Sequence, residues 1–545
     1  VYFKTKSNHA NANEDQCSRC GNIDPDQVLQ IIEAKIVNEY GKLSRTRKVS
    51  PKEWSDLYIS TNGKSIGDPP KKERLPDNEY SIPGLLKQVM IFFTRDILSK
   101  ITNKQYILIT LLEAPLLAVI MGFFTKYFSG TANNPAAYVF RNNENLPAYL
   151  LMSVVVFLFL GLTISSEEII KDRKIIQRES FLNLSRGSYL HSKILIMFAI
   201  SAFQSLSYVL IGNLIFEIQG MLFSYWLILF TTSCFANLLG LNISAGLNSV
   251  ITIYILVPFL LIPQILFCGV LVKYDKLHKS LTNYEQVPVI GDMMASRWAY
   301  EALAVEQFKQ NRYEKIFFDI DQEISNSDYL QAYLVPELEI NLDDLKKAFS
   351  KENDPEVIQA DLETMSMQLA AMGKLIPQIP AYEADHPQVK QYGDSIVAGI
   401  QSYLNQVNDL ARIRTIKAKR EKDRIDKALL EQLGSIEAYT TFRNKYENKS
   451  LLDLVTNRNM VDRVVEKDGR MIRKYQPIYM KPTSRIGRAH LYAPTKQLGN
   501  VEIGTMWYNI VAIWLYCLVM YLMLRADLLR KVITFSETRK LTRGG

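Results

Sequence analysis

Hydrophobic residues along this chain are gathered into blocks, and long polar stretches separate them. Six blocks approach the roughly 20 apolar residues that a helix needs to cross a bilayer core: 105–125, 149–165, 194–216, 222–241, 250–272 and 504–524. Helices in soluble cores seldom run this long without charge, so six such runs predict a multi-pass membrane protein. A turn of small residues from Asn242 to Asn248 joins the fourth and fifth. The polar stretches carry helical periodicity. Val28, Ile31, Ile32, Ile36 and Val37 behind Pro25 predict one short amphipathic helix over 26–40. Leu85, Val89, Phe92, Phe93 and Ile97 predict an interfacial helix leading into the first span. Between spans five and six, Ile358, Leu362, Met365, Leu369 and Met372 form one stripe, and Ile396, Ile400, Tyr403, Val407 and Leu410 a second. Joined by a proline-bearing loop, the stripes fit an antiparallel helical hairpin or two helices of an ordinary bundle. The charged run 417–427 reads as a solvated helix face.

The expected fold class is therefore mainly α: a six-span helical membrane domain with a large, mostly helical insert between spans five and six. The expected divisions are a polar tail and linker over 1–83, an interfacial helix over 84–104, and spans one to five over 105–272. A re-entrant external segment over 273–309, the insert over 310–499, the sixth span over 500–524 and a basic tail over 525–545 follow.

Charge sets the orientation. The 545 residues carry 64 basic and 56 acidic side chains, a net charge of +8, too mild and too dispersed for a nucleic-acid binder. Basic residues crowd the segment before span one, the loop between spans two and three (Lys171, Arg173, Lys174, Arg178, Arg186, Lys193) and the tail after span six. Both termini are then expected in the cytoplasm and the insert outside, or in the periplasm of a cell with an inner membrane. Long external domains cross regardless of their own charge, so the lysines of the insert do not conflict.

The chain offers little catalytic chemistry. Gly63-Lys64-Ser65 ends like a phosphate loop, but position 58 is Tyr58 and Pro69 and Pro70 follow where the helix should run. No ATPase site is expected here. Cys17 and Cys20 have half-zinc spacing without a second pair, so no metal is expected, and five cysteines do not make a disulfide framework. His191, His278, His386 and His490 are scattered. Glu113, in the middle of span one near Pro115, stands apart, because an intramembrane carboxylate is costly; a functional and a structural role stand level.

Two motifs bring a family into view. Asp172-Arg173-Lys174-Ile175-Ile176-Gln177-Arg178-Glu179-Ser180, with Tyr189 and Lys193 after it, resembles the charged segment between spans two and three of ABC exporter permeases. Arg297-Trp298-Ala299-Tyr300-Glu301-Ala302-Leu303, with Glu306 and Phe308, is similar to their segment after span five. Both resemble the type-2 permease half of ABC exporters, closest to the G-type (White and pleiotropic-drug-resistance) branch. Ser180 stands where that family has Arg, and Met294-Ala295 where it has Ser-Pro. Val1-Tyr2-Phe3 resembles the last strand region of the family's ATP-binding domain and Asn22 to Asp26 an element of that domain, so the chain is expected to continue a longer protein. The resemblance implies a nucleotide-binding domain, fused upstream or separate, that holds ATP and Mg, and a homodimer in membrane lipid. It implies that Asp172, Arg173, Arg178, Glu179 and Tyr189 lie where force is transmitted, with Arg297, Trp298, Tyr300 and Glu301 in the re-entrant segment. Phe157, Phe159, Phe259 and Phe267 could contact an apolar cargo, with ordinary packing or lipid contact the favoured reading. Residues 310–499 exceed the family pattern and could hold an envelope partner. The competing reading is a membrane scaffold that recruits such a partner without transport; a membrane enzyme is disfavoured by the absence of a catalytic constellation.

Overall fold

In a computed structural model of the chain, residues 2–7, 25–37, 39, 41, 43–62, 83–130, 134, 137–179, 184–350, 355–380, 382 and 393–543 are described. His9, Cys17, Cys20, Gly63 to Ser65, Ser180 and His386 lie outside these residues, as does most of the expected linker. Two compact units divide at Ser81 and Ile82.

The first unit is small. Helices α1 (Tyr2–Lys6), α2 (Pro25–Glu33) and α3 (Pro51–Asn62) accompany an antiparallel pair, β1 (Lys35–Val37) and β2 (Leu43–Arg47). Tyr2 and Phe3 are helical, not the strand the resemblance implied. The helix expected over 26–40 stops at Glu33, and the β-branched Ile36 and Val37 go into β1 instead. At the start of α3 a capping box closes reciprocally: Glu53 N–H donates to Ser50 Oγ at 3.2 Å, and Ser50 N–H to Glu53 Oε2 at 2.8 Å.

The second unit opens with α4 (Leu85–Thr102), over the stretch where an interfacial helix was expected, and α5 (Lys104–Thr125). Then come α6 (Leu146–Ser166), α7 (Glu168–Glu179), α8 (Arg186–Phe216), α9 (Leu222–Gly246) and α10 (Val250–Leu266). After α11 (Val289–Asp292) and α12 (Ala295–Lys309), the insert holds α13 (Glu314–Tyr329), α14 (Val335–Ser350), α15 (Pro355–Leu375) and α16 (Gly393–Leu433). It continues with α17 (Ile436–Tyr446), α18 (Lys449–Val455) and the hairpin β3 (Val464–Lys467) and β4 (Arg470–Arg473). A second hairpin, β5 (Thr495–Leu498) and β6 (Val501–Gly504), leads into α19 (Thr505–Arg525) and α20 (Leu528–Arg543).

Among the described residues five helices are long and apolar enough to cross a membrane: α5, α6 (continued by α7), α8, α9 and α19. The fifth expected span is shorter. Helix α10 has 17 residues, about 26 Å at 1.5 Å per residue, below the roughly 30 Å of a bilayer core. It carries Pro258 and Pro263 and ends before Gly269, whose φ of +84° turns the chain. At the centre α6 packs on α9 through glycines. A Cβ on Gly161 would lie 2.6 Å from Ala236 Cβ, and one on Gly240 2.0 Å from Ser165 Oγ. Small residues let the backbones approach, and hydroxyl and amide side chains bond across the helices. Ser153 pairs with Tyr208 at 2.9 Å, and Asn237 donates to Ser201 at 2.7 Å.

The insert has its own core. Both stripes close against a third helix, α14, through Leu338, Leu342 and Leu345. The result is a bundle, not an isolated hairpin. The run 417–427 lies mostly at the surface of the 41-residue helix α16.

Candidate functional site

The charged loop helix α7 folds back against α4 and the first turns of α8, because each supplies one part of an ion cluster. Lys193, with 3% of its side chain exposed, lies 2.7 Å from Asp96, 3.0 Å from Glu168 and 2.9 Å from Asp172. Lys100 adds a second cation 2.6 Å from Glu168. Three carboxylates thus share two lysines, with Asp96 from α4, and Glu168 and Asp172 from α7. Tyr189 donates its hydroxyl to Asp172 at 3.0 Å, and its ring meets Phe92 edge-on at 5.7 Å. Burying one ammonium is tolerable only because so many carboxylate oxygens replace its water.

Neighbouring contacts bind this cluster to the bundle. Arg173 donates to the carbonyls of Ser244, Ala245 and Leu247, at 3.3, 3.2 and 2.7 Å, where α9 ends. A guanidinium at a helix C-terminus satisfies carbonyls that have no intrahelical partner. Ser244 Oγ in turn accepts from the N–H groups of Ile169 and Ile170 at the start of α7. At the outer end of α7, Glu179 pairs with Arg95 at 2.8 Å, while Arg178 is exposed with no partner among the described residues. Arg186 pairs with Asp527 just before α20. Of the five expected loop residues, Asp172 and Tyr189 enter the ion cluster, Arg173 caps α9, Glu179 meets α4 and Arg178 faces outward.

The second motif builds a different site. Glu301 of α12 is fully buried. Its Oε1 accepts from Lys496 Nζ at 2.8 Å and from the Tyr492 N–H at 3.1 Å, and its Oε2 from Asn509 Nδ2 at 2.9 Å. Arg297, one turn before, lies 3.5 Å from the same carboxylate and 3.7 Å from Asp292, with its guanidinium 3.9 Å over the Trp298 ring. Burial would raise the Glu301 carboxyl, but Arg297 and Lys496 outweigh it and hold the group below its ordinary range. Burial pulls Lys496 down to about 8, with Glu301 resisting. Both stay charged at neutral pH. Tyr300 packs fully buried, with its hydroxyl toward Pro147 O at 3.4 Å. Helix α12, the second hairpin and α19 are therefore tied at one carboxylate.

Other expected residues do not converge. Phe157 is sealed in the core, edge-on to Tyr208 at 5.2 Å, whereas Phe159 and Phe259 point outward. Phe267 stands at the end of α10. Glu113 is half-buried on α5 without an ion partner among the described residues. No cluster of three metal-ligating side chains occurs among the described residues. Sequence reasoning missed Lys496, Asn509, Asp96 and Glu168. Lys496 sits beside an alternating segment closed by Gly499, a hairpin signal that was readable.

A family described as ABC-2 type transporter matches residues 87–291, from α4 through the five apolar helices that follow it. That stretch of the membrane unit resembles an ABC-2 type permease domain. The ABC transporter G family member STR of Medicago truncatula is 24% identical over 235 residues. That match covers 43% of this chain and 27% of the relative, so the chain spans about a quarter of the relative's length. The likeness to a G family member agrees with the G-type branch that the two motifs resembled. The Lys193 cluster falls inside the matched stretch of the permease, whereas Glu301 lies just beyond it.

Proposed function

We infer that this permease is the membrane-spanning half of an ATP-driven exporter that moves an apolar or amphipathic cargo out of the cytoplasm or its inner leaflet. The match over 87–291 carries the reading, because it joins α4, the apolar helices and the charged α7 in one transporter domain. A nucleotide-binding domain, fused or separate, supplies ATP hydrolysis and presses on α7. Arg178, exposed and free of partners among the described residues, offers it a cation. Force on α7 passes to α9 through Arg173, and to α4 and α8 through Lys193. Two copies pair through outward apolar faces such as that of α10, where Ile251, Ile255, Phe259 and Ile262 are exposed. Helix α10 is a sixth, short span, so both termini are cytoplasmic and the insert is external, open to an envelope partner.

The test has two arms. Arg178→Glu in the assembled transporter should uncouple transport from ATP hydrolysis at normal expression, and unchanged transport would remove α7 from the coupling route. In a cysteine-free background, Glu437→Cys should react with an impermeant maleimide in intact cells whose outer barrier is opened. Lys174→Cys should react only after lysis. The reverse pattern would invert the topology and sink the exporter reading.

A further inference from the structure

The insert encloses a cavity of about 490 Å³ among α13, the middle of α16, α17, α18 and the segment from Arg463 to Tyr479. That volume is in the range of small-molecule sites. Its charges are unevenly matched. Lys422 pairs with Asp321 at 2.5 Å, Arg443 with Glu447 at 2.7 Å and Arg458 with Asp453 at 3.2 Å. Arg463 spends its donors on the carbonyls of Asn457 and Arg458. Among the described residues Asp328 accepts only from the Thr415 hydroxyl, at 3.5 Å. Glu314 is left over. It is 5% exposed, it lines the cavity, and no donor among the described residues reaches its carboxyl.

An orphaned buried carboxyl is costly and calls for a partner. Aromatic walls beside it already accept cations on their faces: Arg443 lies 5.4 Å from the Tyr313 centroid and Lys422 5.4 Å from that of Phe317. We propose that this cavity binds a small organic molecule bearing a primary ammonium group, with the Glu314 carboxylate as its counter-ion. The proposal stands apart from the transport reading, since it rests on the insert alone. Burial and then the negative charges of Glu447 and Asp321 push the Glu314 carboxyl up to about 8, against Lys422 and Arg443. The group is then mostly protonated at pH 7. An incoming ammonium keeps its own proton, and Glu314 gives up its proton to bulk water as the ion pair forms.

Titration calorimetry of the full chain with phenethylamine tests this, with phenethyl alcohol as the uncharged control. Saturable binding of the amine alone is expected, with close to one proton released at pH 7 when buffers of different ionisation heat are compared. Glu314→Gln should weaken binding about 30-fold or more, with a melting temperature unchanged or raised, because the buried titratable carboxyl is gone. Glu314→Asp keeps the charge and withdraws it by one methylene, so weaker binding with proton release retained is expected. Absence of saturable binding up to about 10 mM, equal binding of the alcohol, or full affinity in either variant would overturn the proposal.

Discussion

Two ion clusters in the second unit solve the burial of charge in opposite ways. Around Lys193 the carboxylates outnumber the lysines, Asp172 keeps 23% of its side chain exposed, and the groups come from three helices whose ends meet at one edge of the bundle. Around Glu301 one carboxylate faces two cations and an amide, and both it and Lys496 are wholly enclosed. A half-open cluster with spare carboxylate oxygens can exchange partners as helices shift, because water and a neighbouring acid are at hand. A sealed one cannot, since each partner lost leaves a charge in a low dielectric. The first arrangement suits a moving joint and the second a fixed anchor.

The comparison breaks first at the anchor. Glu301→Ala should cost about 3–5 kcal/mol, because Lys496 and Arg297 would stay buried without their carboxylate. Thermal unfolding in detergent measures this, and a loss below about 1 kcal/mol would show that Glu301 is no anchor. The joint should be softer: Lys193→Met should cost about 2–4 kcal/mol, partly restored by adding Glu168→Gln, which relieves the carboxylates left together. Without that restoration the cluster would not be acting through charge.

Next in size is a pH effect beside the anchor. His490 donates its Nε2–H to Pro477 O at 2.8 Å. Burial depresses its pKa to about 4 from the usual 6.5. The folded state therefore binds fewer protons than the unfolded one between those values, and stability is lost as pH falls through that window. Between pH 7 and 5 the loss should reach up to about 2 kcal/mol, and a His490→Gln variant should show a shallower slope by that amount. Equal slopes would remove His490 from the balance. Smallest of all is the exposed pair Arg95–Glu179: Arg95→Ala should cost below about 1 kcal/mol. A larger loss would mean that the edge of the joint is as rigid as the anchor.

The membrane helices were legible because a bilayer demands long unbroken apolar runs, and those runs admit few alternatives. Where the reading overshot, local chemistry explains it. Helix α10 ends at Leu266 because the chain turns at Gly269, and the helix over 26–40 gives way to β1 where β-branched residues begin. The two motif segments were legible through resemblance, and so was the position of Glu301, but its partners were not. Lys496 lies 195 residues away, and a single lysine in a polar stretch carries no periodic mark of the carboxylate it will meet. Asp96 and Glu168 looked like ordinary surface acids of amphipathic helices until folding placed them around one ammonium. The hairpin at Asp468-Gly469, both with positive φ, was written in plain turn chemistry between alternating residues and went unread.

The bond from the Tyr492 N–H to Glu301 spans 191 positions of sequence, so everything between them is a closed loop whose two ends meet at one point. The entropy of closing a loop rises only with the logarithm of its length, about 0.6 kcal/mol for each doubling. An excursion held this way can lengthen, shorten or be exchanged at almost no cost to the body that carries it. The helices of the membrane unit would not register the change as long as the two ends still met at the same carboxylate and α18 kept its seat on α6, with Asn448 donating to the carbonyls of Phe140 and Asn143.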